Sequence, residues 1–189
     1  HGRSLRLVTE AGRSLSLDLP TYEMPHTKNA SGYYVADDMD ALDLFVGSDG
    51  TLGVVTEVEL ALMPAPAVVW GVSCFFETEA AALDFTVAVR PTLAHAAAIE
   101  YFDAGALSIL RSQRENSAAF ASLPAVEGRF TCCVYVELDC DDEDEACAEL
   151  YAIGDAMRAV GADEADTWVA RTDVDRECQR FFRHPVPES

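Results

Sequence analysis

The chain has 189 residues, half of them hydrophobic, which is enough for one domain with a sizeable core or a small domain plus part of another. Its formal net charge of -20, from 33 acidic against 13 basic side chains, repels phosphate backbones and excludes a nucleic-acid-binding role. No run approaches the roughly 20 apolar residues that span a bilayer, so no membrane span is expected.

Residues 5–9 and 14–17 read as two short strands around Ala11-Gly12-Arg13, a hairpin turn. Residues 20–25 are loop, and a single aspartate-rich helical turn is expected within 36–44. Next comes FVGSDGTLGVVTEVEL at 45–60, in which Gly47, Gly50 and Gly53 recur every third residue with Ser48, Asp49 and Thr51 between them. Glycine serves where backbone turns sharply or lies close against a ligand. Residues 54–60 alternate as a strand, with Val54, Thr56, Val58 and Leu60 on one face. That strand is expected to end at Met63, where Pro64-Ala65-Pro66 breaks it and marks a domain boundary.

Beyond the prolines the pattern is regular. Residues 68–76 form a strand with Val68, Trp70, Val72, Cys74 and Phe76 on one face, and Thr78 caps a helix that runs through Val89 and stops at Pro91. A strand at 97–102 and a helix at 104–113 follow. A strand at 129–138 carries Phe130, Cys132, Val134, Val136 and Leu138 on one side. The acidic run 141–145 opens a helix whose dipole it complements; Ala146, Leu150, Ile153, Met157 and Val160 form its buried stripe and Gly161 its stop. A strand at 167–170 and a helix at 173–182 complete the order. The prediction is an α+β fold, an antiparallel sheet with helices packed on one face, as in ferredoxin-like domains.

The glycine turn fits neither familiar nucleotide motif. A Rossmann fingerprint needs GxGxxG between strand and helix, whereas here the spacing is GxxGxxG before a strand; a Walker loop needs a lysine that is absent. Upstream stands KNASGYY at 28–34, and this run followed by DLFVGSDGTLGVVTE resembles the FAD-linked oxidases of the vanillyl-alcohol-oxidase type, the group that includes glycolate oxidase and D-lactate dehydrogenase flavoproteins. The resemblance implies FAD contacts at Gly47, Ser48, Asp49, Gly50, Thr51, Leu52, Gly53, Val54 and Val55. Asp49 departs from the family's usual glutamate. Residues 90–110 are similar to a segment of the family's cap domain with an E-x-x-D pattern, here Glu100 and Asp103. Arg183, in RFFRHP, resembles the arginine that binds the substrate carboxylate, and Lys28 is a second candidate for facing a carboxylate or a flavin oxygen, weighed against a solvated loop lysine.

On this resemblance residues 1–66 are the C-terminal part of a flavin-binding domain, and 67–189 a ferredoxin-like cap domain truncated at its C-terminus. The family's pyrophosphate loop and its HGHxGDGN motif do not occur in these residues, so the chain is read as a fragment with its general base elsewhere, binding FAD weakly or not at all alone. The parent is expected to oxidise a small 2-hydroxy acid by hydride transfer to flavin N5, handing electrons to an unknown acceptor. An alternative is a non-catalytic subunit or interaction domain of a redox complex that retains the cap fold; a third is a folded domain with no ligand site. Oligomeric state is open.

The six cysteines form no CxxC pair and no zinc spacing, so structural thiols in a reducing cytoplasm are the expectation. His1, His26, His95 and His184 lack metal spacing, and the acidic run is read as a solvated helix start, not a cation site.

Overall fold

In the computed structural model, residues 4–37, 39–120 and 123–183 are described, the side chains of 119 and 181–183 excepted. The chain divides into two compact units, 1–62 and 63–189.

In the first unit, strands β1 (Ser4–Val8) and β2 (Ser14–Asp18) pair as an antiparallel hairpin. Thr9 and Gly12, the latter at φ 76°, close its turn. Helix α1 (Ala41–Phe45) follows, started by a capping box: Asp40 accepts from the Leu42 and Asp43 amides while the Asp43 carboxylate accepts from the Asp40 amide. One expectation fails here. Residues 54–63 form no strand, and Val54, Val55, Val58, Leu60, Leu62 and Met63 are all exposed. The alternating pattern is present, but a strand is stabilised by its cross-strand partners, and no described strand pairs with this segment.

The second unit holds β3 (Val68–Phe76), α2 (Glu79–Val89), β4 (Ala96–Phe102), α3 (Ala104–Asn116), a 3-10 turn at Ala118–Phe120, β5 (Cys132–Cys140), α4 (Glu143–Ala159), β6 (Thr167–Ala170) and α5 (Asp173–Arg183). The strand order is β4-β5-β3-β6 with every pairing antiparallel. This is the ferredoxin-like order: two split β-α-β units, β3-α2-β4 and β5-α4-β6, interleave so that each crossover straddles a strand of the other. The N-caps in this unit are polar side chains facing the first turn: Thr78 for α2, Asp103 for α3, Asp142 for α4 and Thr172, whose hydroxyl accepts from the Asp175 amide, for α5.

The α+β class stands, but the helices divide between the two faces. Trp70, Val72, Cys74 and Phe76 of β3 meet Ala82, Phe85 and Val89 of α2 and Ala146, Ile153 and Met157 of α4. On the other face Phe75, Cys133 and Tyr135 pack with Ala106, Leu107 and Leu110 of α3, and Cys178 of α5 joins this side. Both faces of β3 are therefore covered, which explains why Val72, Ser73 and Cys74 are all fully buried. Phe130 belongs with the second face, not with Cys132 and Val134, because β5 starts only at Cys132 and the preceding residues are not bound to its alternation.

Candidate functional site

In the first unit the two flanking motifs meet. A cleft of about 440 Å3 is lined by Met24, Asn29 to Gly32, Tyr34, Asp43, Val46, Gly47 and Asp49. One wall is therefore the KNASGYY segment and the other is α1 with the glycine turn.

The turn's shape follows from its backbone angles. Asp49 and Gly50 have φ of 49° and 75°, and the Thr51 amide donates to the Ser48 carbonyl at 2.9 Å. A four-residue turn with positive φ at both central positions is the type I′ form, for which Asp-Gly is a favoured pair. This accounts for Asp49: the left-handed region is several-fold more accessible to aspartate and asparagine than to longer side chains. Gly47 is also left-handed, at φ 77°. A Cβ built on Gly47 or Gly50 would meet nothing within 4 Å, so these glycines leave open space over the turn.

Side-chain hydroxyls brace the turn. Thr51 Oγ1 donates to the Ser48 carbonyl at 2.6 Å, and Tyr33 Oη lies 2.8 Å from Thr51 Oγ1. The Tyr22 hydroxyl donates to the Tyr33 carbonyl. Asn29 closes an Asx turn, accepting from the Ser31 amide at 3.2 Å and donating to the Thr27 carbonyl at 2.9 Å.

Of the nine positions implied as flavin contacts, Gly47 and Asp49 line the cleft, Ser48 is buried beneath them, and Gly50, Thr51, Leu52, Gly53, Val54 and Val55 are exposed. Lys28 is exposed and adjoins Asn29. Arg183 is the last residue of α5, and its side chain and all of His184 lie outside the described residues. Sequence reasoning passed over Met24, Asp43 and Val46 as cleft residues and over the Tyr22 and Tyr33 hydroxyls that brace the turn. The tandem tyrosines after Gly32 were the available signal.

Of the clefts in the second unit that carry arginines, two have them engaged by carboxylates. One of about 330 Å3 contains Arg129, whose guanidinium donates to Glu77, Glu127 and Asp166 and lies 4.2 Å from the Phe130 ring centroid. These partners hold it firmly protonated, the Asp166 hydrogen bond foremost, and surround its charge with three carboxylates. The other, about 490 Å3, lies between α5 and the sheet and includes Tyr135, Glu137, Arg176 and Arg180. Arg176 is held by the Val69 carbonyl at 2.9 Å and by Asp173, and Arg180 by Glu177 at 2.8 Å. Asp103, singled out by the E-x-x-D pattern, accepts from the Ala106 amide at 2.8 Å as the N-cap of α3.

Among the described residues no group of three or more potential metal ligands comes together, and no helix is long and apolar enough to cross a membrane. All six cysteines are free thiols. Burial pushes the Cys74, Cys132, Cys133 and Cys140 thiols up, away from the reactive thiolate.

A split β-α-β sheet with helices on both faces defines a ferredoxin-like α+β domain. The family described as FAD linked oxidases, C-terminal domain, matches residues 65–184, and the chain belongs to it. A relative from Danio rerio named "Probable D-lactate dehydrogenase, mitochondrial" is 32% identical over 99 residues, which are 52% of this chain and 18% of that protein. The chain thus spans a small part of that relative's length.

Proposed function

We propose that this chain is part of an FAD-dependent oxidoreductase that oxidises a small 2-hydroxy acid of the glycolate or D-lactate class. The cleft where KNASGYY meets the glycine turn carries the reading. Its volume suits a segment of a dinucleotide, and the open space above Gly47 and Gly50 is what close approach of a flat ligand requires. Residues 47–55 would hold the cofactor. Asp43 and Asp49 put two carboxylates on the cleft wall, so the turn faces an uncharged part of FAD and the pyrophosphate sits elsewhere. Bound flavin would supply the two-electron acceptor.

The family match and the name of the Danio rerio relative support the substrate class. In this reading residues 1–66 belong to the flavin-binding domain and 67–189 form the cap. Arg183 would clamp the substrate carboxylate in a bidentate pair, with Lys28 a further cationic contact. The exposed apolar stretch 54–63, which forms no strand by itself, would take its strand partner from other polypeptide of the parent. Six free thiols suit a reducing compartment; the sequence points to the cytoplasm, and the relative is named for the mitochondrion.

The test is to purify the full-length gene product and record its flavin absorbance before and after anaerobic addition of D-lactate or glycolate. The expected result is a flavin spectrum that bleaches with one of them. A preparation without flavin, after reconstitution with FAD, overturns the proposal in favour of a non-catalytic subunit.

A further inference from the structure

The hydroxyls around the glycine turn have one consistent donor assignment. A carbonyl only accepts, so Thr51 donates its single proton to the Ser48 carbonyl, and Tyr33 must then donate to Thr51 Oγ1. For the same reason Tyr22 donates to the Tyr33 carbonyl. The result is a directed chain that ties KNASGYY to the turn: Tyr22 fixes the backbone of Tyr33, Tyr33 fixes Thr51, and Thr51 fixes Ser48.

Gly32 makes the chain possible. It sits at φ 70°, and a Cβ there would meet the Tyr22 hydroxyl at 3.3 Å, so a larger residue would both strain the backbone and press on the first link. At the other end, the Ser48 carbonyl receives two donors from Thr51, one from the amide and one from the hydroxyl. Both of its lone pairs are engaged. Because a trans peptide is planar, fixing that carbonyl sends the Asp49 N–H the opposite way, and Asp49 lines the cleft.

We infer that Tyr33 is a positioning residue: its hydroxyl, acting through Thr51, holds the Ser48–Asp49 peptide so that the cleft presents a preset backbone donor to an uncharged acceptor atom of FAD. This rests on the assignment of the cleft to flavin. The energetic contribution is that of pre-organisation, since an untethered turn would have to be ordered when the cofactor binds.

The test uses the full-length gene product, stripped of flavin and titrated with FAD by fluorescence quenching. Tyr33→Phe should raise the FAD dissociation constant about fivefold, the loss of one neutral hydrogen bond, and Thr51→Val, which removes both hydrogen bonds of that hydroxyl, by at least as much. The double variant should be no weaker than Thr51→Val alone, because both changes break the same link. Thr51→Ser, which keeps the hydroxyl, should restore wild-type affinity and the wild-type position of the visible flavin band. A Tyr33→Phe affinity within twofold of wild type, or a Thr51→Ser variant as weak as Thr51→Val, overturns the inference. If Tyr33→Phe does not fold, the Thr51→Val and Thr51→Ser pair decides from the other side of the same bond. A wild-type product that takes up no FAD sinks the flavin assignment itself and this inference with it, and is distinguished by failing before any variant is compared.

Discussion

Asp49 and Gly50 show how much a turn depends on single residues. Both occupy left-handed backbone, and a Cβ at Gly50 has room, so Gly50→Ala is expected to cost about 1 kcal/mol from conformation alone. Asp49→Gly should recover part of that amount, and chemical denaturation of the first unit measures both. His95 is a residue whose role was not visible in its spacing. Its Nδ1 lies 3.0 Å from the buried Glu149 carboxylate and its Nε2 lies 3.6 Å from Glu145. The Glu149 hydrogen bond, aided by the Glu145, Glu149 and Asp141 charges and opposed by burial, holds its pKa above the ordinary 6.5. A pKa raised on folding stabilises the fold at low pH. The contribution is complete below about pH 6.5 and is lost as pH rises through the folded value. Melting temperature should therefore fall over that window, and His95→Gln should flatten the fall; an unchanged pH profile in His95→Gln would show that the imidazole does not carry it. Glu149 was missed for a physical reason: an acidic residue on a helix is usually solvated, and its burial is made tolerable by the Ala94 and His95 amides and the His95 imidazole, 55 and 54 residues away.

At the scale of elements, local chemistry was largely legible. Helices α2, α3 and α4 begin where Thr78, Asp103 and the acidic run after Cys140 predict them, because an N-cap is a contact between residues three apart. Asp103→Ala is expected to destabilise the second unit by about 1 kcal/mol through the lost Ala106 contact, read as a shift in denaturation midpoint at constant slope. The strand expected at 54–60 is the instructive failure. Its alternation is as regular as that of β3, yet β3 has β5 and β6 beside it and 54–60 has no described partner. Periodicity reports which side chains could share a face, whereas a strand exists only when another backbone completes its hydrogen bonds.

Across the second unit, the core on each sheet face depends on a different set of helices. Phe85, fully buried between α2 and β3, should cost about 3–5 kcal/mol when cut to alanine. On the opposite face Gly71 decides how α5 docks. A Cβ there would run into the Gln179 side-chain oxygen, and Gln179 Nε2 donates to the Gly71 carbonyl at 3.1 Å and the Trp168 carbonyl at 3.2 Å. Gly71→Ala should displace Gln179 and loosen α5, costing about 1–3 kcal/mol, with faster amide exchange in α5 than in α4. Equal exchange in both helices would show that Gln179 is not the clamp.

The sequence by itself determined the helices, the hairpin, most strands of the second unit, the α+β class and the glycine turn with its flavoprotein resemblance, because each rests on residues a few positions apart. Only the tertiary structure decided the order β4-β5-β3-β6, the split of helices between two faces, the burial of Glu149 against His95, and the meeting of Tyr33 with Thr51. Those depend on which distant segments lie side by side, and the free energy of that choice is shared over the whole core instead of being written in any one stretch of chain.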